Sequence, residues 1–316
     1  MEHRWIIEPY TPEKSREWDE FVKASKNGTF LLTRPYMDYH ADRFPDNSLI
    51  IRYDDGRIAA LLPASLQGDT LVSHPGLTYG GFVMPRRNRA QFPMEWIGAI
   101  RSYLRGLGVR ALHYKCIPYV YHREPADEDR YALFRADAQS VVCNLASVVP
   151  LNQPFTARLG HRAARRIQRY GLEVERAHEV AEIWHIIEDD RRIRHNTRPV
   201  HTLEEMRLLA GRFPDNITIY KTLQQGRIVA GAVVYLFPES GVIHLQYAAA
   251  NAVGFDIHAV DAIYHVMAEE LRGRYKWFDF GTSNEDGGRY LNTGMTAHKE
   301  EFGGCSVAYP QYKLDI

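Results

Sequence analysis

The pentapeptide Arg43-Phe44-Pro45-Asp46-Asn47 returns as Arg212-Phe213-Pro214-Asp215-Asn216, and each copy leads into an apolar run and then Gly-Arg-Ile, at 56–58 and 226–228. The match continues from Leu77-Thr78-Tyr79-Gly80-Gly81 to Leu245-Gln246-Tyr247-Ala248-Ala249. An offset of about 170 residues far exceeds the periods of solenoid repeats, so it marks one ancestral domain duplicated in tandem. The 316 residues suffice for two such domains, each with its own core. Pro150-Leu151-Asn152-Gln153-Pro154 reads as the linker, which sets a first copy at 1–150 and a second at 151–316. Residues that differ between the copies are candidates for divided work, and the groove between copies is the expected place for it.

Acidic and basic residues balance at 39 each, so any nucleic acid or membrane surface would have to be held by a local patch. Cys116, Cys143 and Cys305 are widely separated and form no CxxC pair, as expected of a reduced, cytoplasmic protein. The start Met1-Glu2-His3-Arg4-Trp5 is charged, and the longest apolar run, Ile228–Phe237, is too short to cross a bilayer. No membrane insertion is expected. The 14 histidines show no HExxH spacing, so no metal site is expected, and no GxSxG, phosphate-binding P-loop or dinucleotide fingerprint occurs.

Thr11-Pro12-Glu13 opens a helix with Trp18, Phe21 and Val22 on one face, and a second spans Pro35–Arg43. Strands follow at Ser48–Tyr53, Arg57–Leu66 and Thr70–His74, the first two joined by the turn Asp54-Asp55-Gly56. Met94, Ile97, Ile100, Leu104 and Leu107 stripe a helix that ends at Gly108, before strands at Val109–Cys116 and Ser140–Ser147. The second copy offers helices at Phe155–Tyr170 and Glu179–Arg194 and a third opened by the capping box Thr202-Leu203-Glu204-Glu205. Its strands are Ile217–Leu223, Arg227–Leu236 and Val242–Ala248, with Gln225-Gly226 as a turn. Asp256 is expected to cap a helix striped by Val260, Ile263, Tyr264, Met267 and Leu271, and Trp277-Phe278-Asp279-Phe280 returns as a strand.

Helices, an antiparallel meander, one helix and a returning strand make an α+β layer, the element order of the GNAT N-acyltransferase fold. Three strings carry a closer resemblance: Leu159-Gly160-His161-Arg162-Ala163-Ala164-Arg165-Arg166-Ile167-Gln168-Arg169-Tyr170-Gly171-Leu172, Phe278-Asp279-Phe280-Gly281-Thr282-Ser283 and His298-Lys299-Glu300-Glu301-Phe302-Gly303-Gly304. With the duplication they cover almost the whole chain, which resembles the tandem-GNAT proteins related to the Fem peptidoglycan aminoacyltransferases. The resemblance implies two GNAT-like domains with mixed, largely antiparallel sheets, the first binding an acceptor and the second transferring the acyl group. It implies no permanently bound cofactor and either acyl-CoA or aminoacyl-tRNA as co-substrate. It also points to Lys299, ahead of Phe-Gly-Gly, at the reaction centre.

A CoA-binding GNAT needs a glycine-rich turn after its fourth strand, where backbone N–H groups cradle the pyrophosphate. Ala250-Asn251-Ala252-Val253-Gly254-Phe255-Asp256 keeps one glycine there and adds a carboxylate. In the first copy Met84-Pro85-Arg86-Arg87-Asn88-Arg89 is cationic instead, either an anion dock or a solvated helix start. Arg158, Arg162, Arg165, Arg166 and Arg169 share one broad helix face without an acid between them. That face suits a phosphate backbone such as tRNA, or is an outer face balanced by Glu173, Glu175 and Glu182.

Acyl transfer to an amine needs a deprotonated amine, a polarised carbonyl and a proton for the leaving group. Lys299 is the candidate oxyanion donor, or else a surface lysine paired with Glu300 or Glu301. Asp279 either orients the amine and handles its proton or caps the turn into Gly281, Thr282, Ser283 and Asn284. Alternation puts His244 and Gln246 on one strand face and Leu245 and Tyr247 on the other, so Tyr247 is core or catalytic. Tyr79, Gly80 and Gly81 let another molecule approach the backbone or form a bulge. Arg191, Arg194 and His195 belong to a basic stretch, Arg191–Pro199, that either lids the acceptor or answers a helix dipole. Substrate-binding residues are thus expected among Tyr79, Gly80, Gly81, Arg191, Arg194, His195, Tyr247, Ser283 and Asn284, the acceptor being a small polar molecule with an amine, such as a peptide or amino sugar. The alternative is a non-catalytic ligand-binding protein built on a decayed duplication.

Overall fold

The computed structural model describes residues 5–151 and 158–316, apart from the side chain of His195. The start of the chain, most of the expected linker and the first turn of the expected Phe155 helix lie outside the described residues. The chain forms two compact units. One comprises residues up to Asn144 with Asp286–Tyr290 and Ala308–Ile316, and the other Leu145–Glu285 with Leu291–Val307.

In the first unit, β1 (Ile6–Pro9), β2 (Leu49–Arg52) and β3 (Ile58–Leu62) make an antiparallel sheet. Helices α1 (Ser15–Ala24) and α2 (Arg34–Met37) precede β2. The expected helix over Pro35–Arg43 stops at Met37 and continues only as a 3₁₀ turn, Asp38–His40. The strand expected over Arg57–Leu66 is likewise two, because Pro63 cannot donate to the ladder, and β4 (Ser65–Gln67) turns instead to β5 (Thr70–Val72). α3 (Phe92–Gly106) leads to β6 (Ala111–Lys115), which runs parallel to β5. α4 (Glu128–Arg135), which the sequence pattern did not reveal, packs Ala132 and Leu133 into a core built on Trp96, Ile97, Ile100 and Leu104. The strand β7 (Gln139–Pro150) then carries the chain into the second unit.

There, α5 (Arg158–Tyr170), β8 (Leu172–Arg176), α6 (Ala181–His195) and α7 (Leu203–Arg212) precede the antiparallel ladder of β9 (Ile217–Gln224), β10 (Arg227–Phe237) and β11 (Val242–Ala250). The capping box at Thr202 and Glu205 closes in both directions. Gln225 and Gly226 both take positive φ, as a tight hairpin turn demands. The helix expected after Asp256 is two helices, α8 (Ala252–Asp256), capped by the Asn251 side chain, and α9 (Ala259–Leu271), preceded by His258 in the left-handed region. Asp256 ends the first and caps neither. β12 (Trp277–Thr282) runs parallel to β11 and pairs antiparallel with the Ala146–Pro150 part of β7. Then come the short strands β13 (Asn284–Glu285) and β14 (Tyr290–Leu291), α10 (Thr293–Glu301) and β15 (Cys305–Asp315), whose end from Gln311 pairs antiparallel with β6 in the first unit. Ile263, Tyr264, Met267 and Leu271 of α9 pack with Val234, Ile243, Phe278 and Phe302, so the predicted stripe is the core of this unit.

The repeated pentapeptide is a structural anchor in both copies. The Asn47 side chain accepts from the Leu66 amide at 3.0 Å, while that of Asn216 donates to the Leu236 carbonyl at 2.9 Å. Asn47 pins the turn before β2 to the start of β4, and Asn216 pins the turn before β9 to the end of β10. The retained sequence therefore reports folding rather than catalysis.

Candidate active site in the second unit

β11 and β12 pair through Val242↔Trp277, Ile243↔Phe278 and His244↔Asp279, and there the ladder ends although both strands continue. β11 follows β10 to Ala250, while β12 bends as its register with β7 shifts between Asp279 and Thr282. Gly281 at the bend has φ 72°, a conformation most side chains resist. The two parallel strands therefore part at His244 and Asp279, and among the described residues no strand pairs between them beyond that point.

Asp279 is fully buried at this fork. One carboxylate oxygen accepts the Gly281 amide at 2.7 Å, so it does cap the turn, and the other lies 2.9 Å from Nδ1 of His244. Phe278 and Phe280 flank it on the opposite strand face, their rings 4.2 Å apart within the core. A buried carboxylate with both oxygens engaged stays ordered and can hold an imidazole in one orientation.

Lys299 braces the same bend. It sits on α10, whose first turn is capped by the Asn292 side chain, and only 7% of it is exposed. Its ammonium donates to the Gly281 carbonyl at 2.9 Å, the Thr282 carbonyl at 3.1 Å and Ser283 Oγ at 2.8 Å. Three bonds use the three donors of an ammonium, so this lysine points at the bend and not at surface carboxylates. Burial lowers its pKa to about 8, and the charge of Asp279 opposes that shift. The Gly303-Gly304 turn behind it must be small, since a Cβ on Gly304 would lie 2.8 Å from the Lys299 carbonyl. Ser283 is buried against Leu145 through its amide, and Asn284 accepts from the Leu145 amide at 2.5 Å.

Tyr247 lies elsewhere than alternation suggests. A bulge opposite Val233 and Val234 lets Gln246 drop out of the ladder and reverses the phase of β11. Leu245 packs on the α9 core, while Tyr247 turns to Trp184 of α6 and bonds His201 Nδ1 at 2.6 Å. Leu245 and Tyr247 thus occupy opposite faces. Burial pushes the Tyr247 phenol up to about 12. His201 also lines an open pocket of about 820 Å³ with Arg192, Asn196, Thr197 and Arg198. Arg194 pairs with Asp190 at 3.2 Å and stacks over Phe255 at 3.5 Å; the Arg191 carbonyl accepts the Thr197 amide at 3.0 Å.

The other predicted contacts separate. Tyr79, Gly80 and Gly81 fall in the first unit, where Tyr79 is 1% exposed and its hydroxyl meets Thr29 at 3.0 Å. A Cβ at Gly80 would strike the Ser73 carbonyl at 2.4 Å, and one at Gly81 the Tyr114 ring at 2.9 Å. These glycines accommodate the protein's own chain. The cationic stretch at Arg86–Arg89 stops short of α3, with Arg86 3.5 Å from Glu124 and Arg89 over Phe92. On α5, Arg166 pairs with Asp261 at 2.8 Å and Arg162 with Glu301 at 3.4 Å, whereas Arg158, Arg165 and Arg169 are exposed. The balancing acids differ from those the sequence offered. Where a pyrophosphate turn would lie, α8 occupies the chain and a Cβ on Gly254 would come within 2.1 Å of the Val229 carbonyl.

Sequence reasoning placed His244 on a strand but gave it no role. The parallel register that sets it opposite Asp279 is long-range, and no local spacing signals it.

These features define an α+β fold of the tandem GNAT kind. FemX is similar over 98% of this chain and 97% of its own, with a TM-score of 0.69 and 10% identity. L-PGS from Bacillus licheniformis is similar over 96% of this chain and 91% of its own, with a TM-score of 0.62 and 14% identity. A tandem GNAT protein from the clavulanic acid biosynthesis pathway covers 99% of this chain and 98% of its own, at a TM-score of 0.55 and 10% identity. No family model and no curated protein matches the sequence. No helix among the described residues is long and apolar enough to cross a membrane, and no cluster of three or more His, Cys, Asp and Glu there is arranged to hold a metal ion.

Proposed function

We propose that the protein is an N-acyltransferase that works in its second half, moving an acyl or aminoacyl group to an amine of a polar acceptor such as a peptide or amino sugar. The observation that carries this reading is the fork of β11 and β12, with buried Asp279 and Lys299 at its apex. Beyond the apex the two strands no longer pair with each other, so an extended acyl carrier can lie between them, and FemX and a tandem GNAT protein share this architecture. Lys299 stabilises the bend through two carbonyls, and rotation of one N–H toward the donor carbonyl would steady the tetrahedral oxyanion. Asp279 keeps the polar apex ordered.

Helix α8 in place of a phosphate turn weighs against CoA as the donor, and the exposed Arg158, Arg165 and Arg169 favour a polyphosphate carrier such as aminoacyl-tRNA. The Arg191–Arg198 segment and the pocket beside His201 are the acceptor side of the second unit, and by the resemblance the first copy, 1–150, serves acceptor binding rather than transfer. The protein acts in the cytoplasm.

Thermal unfolding with acetyl-CoA, longer acyl-CoAs and charged tRNA tests the reading. A donor that binds the native state raises the melting temperature, by about 2.7 kcal/mol of stability at a hundredfold excess over Kd. Stabilisation by charged tRNA, with transfer of the aminoacyl group to an amine, is expected. Indifference to all three, with stabilisation by a sugar or peptide alone, points instead to a ligand-binding protein.

A further inference from the structure

We infer that His244 is the general base of this site, with Asp279 as its positioning residue; this rests on the acyl-transfer reading. The Asp279 carboxylate accepts from Nδ1 of His244 at 2.9 Å, which selects the tautomer with the proton on Nδ1 and the lone pair on Nε2. The imidazole lies where the two strands part, its Cε1 within 3.6 Å of the space beside Gly281, and its side chain is 12% exposed. The orientation is fixed twice over. Gly281 donates its amide to the second Asp279 oxygen, and the carbonyls of Gly281 and Thr282 are held by Lys299. β12 thus holds the ring of β11 directly, and α10 acts on it only through the bend of β12. Among the groups that face it are the Asp279 carboxylate on β12 and the Tyr235 ring on β10, whose centroid is 6.5 Å away, while Lys299 on α10 holds the bend beside Asp279.

The step balances without a further reagent. The acceptor nitrogen attacks the donor carbonyl, a C–N bond forms and Nε2 takes one proton from that nitrogen. As the tetrahedral intermediate collapses, the C–O bond of an ester donor or the C–S bond of a thioester breaks, its electron pair leaves with the heteroatom, and His244 returns the proton to it. Asp279 remains ionised throughout and stabilises the imidazolium between the two transfers.

Nitrogen NMR of ¹⁵N-histidine-labelled protein tests the orientation without any substrate. Neutral His244 is expected in the Nδ1–H form, shifting toward the Nε2–H form in Asp279→Asn; an Nε2–H ring in the wild type overturns the proposal. Aminoacyl transfer from charged tRNA to a peptide amine tests the chemistry. His244→Gln should lower kcat by about 10²- to 10⁴-fold and remove the acid limb of the pH–rate profile, with unchanged stabilisation by charged tRNA. A variant that keeps both turnover and acid limb removes His244 from the reaction while acyl transfer stands. If the wild type transfers nothing, the function reading fails, and the NMR result still decides the dyad.

Discussion

Each unit sets a lysine beside a pair of parallel strands that stop pairing, and the two differ in what lies beyond the last pair. In the first, β5 and β6 part after Val72↔His113, and the chain itself fills the space. The Ser73 amide donates to the His113 carbonyl at 2.8 Å, the Lys115 amide to Ser73 Oγ at 2.6 Å, and the Gly80 amide to the Lys115 carbonyl at 3.1 Å. Lys115 donates to the carbonyls of His74 and Leu77, and burial lowers its pKa to about 8, as at Lys299. Beside it, burial with the charges of His40 and Lys115 holds His74 near 3, so that ring stays neutral. In the second unit no backbone hydrogen bond among the described residues bridges the strands in this way beyond His244 and Asp279. The same parting of strands thus occurs twice, and in the first unit a loop with Gly80 and Gly81 crosses it, whereas in the second Asp279 and Lys299 hold its bend.

The largest expected contrast is in turnover. Asp279→Ala should lower kcat by about 10²- to 10⁴-fold, while alteration of its positional counterpart, His113→Ala, leaves kcat unchanged; steady-state kinetics with one donor and acceptor decide it. Equal losses would mean that both forks serve the reaction.

The glycines after the two forks should differ in stability. Gly81→Ala combines a left-handed φ of 81° with an approach of 2.9 Å to the buried Tyr114 ring, and should cost about 3 kcal/mol or more. Gly281→Ala meets nothing closer than His244 Cε1 at 3.6 Å, so only the backbone strain remains, about 1–2 kcal/mol. Urea denaturation of both variants separates filled space from open space.

The lysines should behave alike in their pH dependence. A folded pKa near 8 lies below the unfolded value near 10.5, so the unfolded chain binds more protons between these values. Stability attributable to each lysine therefore rises with pH across that window, by at most about 1.4 kcal/mol per pH unit. Lys115→Met and Lys299→Met should each flatten the rise by a similar amount, read as the difference from wild type. A flattening in one variant alone would show that the two sites are not matched.

The smallest effect lies on α5. Replacing exposed Arg165 with Glu should reduce the salt dependence of tRNA retention, by about one unit of log–log slope for each phosphate that is no longer neutralised. Arg166→Gln, which breaks the pair with Asp261, should lower stability instead.

Periodic and turn-forming segments were legible in the sequence because their signals are local. The stripe on α9, the Thr202–Glu205 box and the Gln225-Gly226 turn follow directly from neighbouring residues. α4 escaped notice because its apolar residues form no clear stripe, and α8 because five residues ending in Asp256 look like a cap for the next helix. At the site, the resemblance directed attention to Asp279 and Lys299, whereas their partners needed three dimensions. His244 meets Asp279 through strand register, Lys299 reaches carbonyls that carry no sequence signature, and a one-residue bulge sends Tyr247 to the face opposite the expected one.

Amide hydrogen exchange, measured with and without charged tRNA, bears most directly on whether the fork of the second unit is where the donor sits. Added protection along Leu245–Ala250 and Phe280–Ser283, with Ser73–Gly81 unchanged, is the predicted result. Protection confined to Ser73–Gly81, or its absence from both forks under conditions where the tRNA is bound, would contradict it.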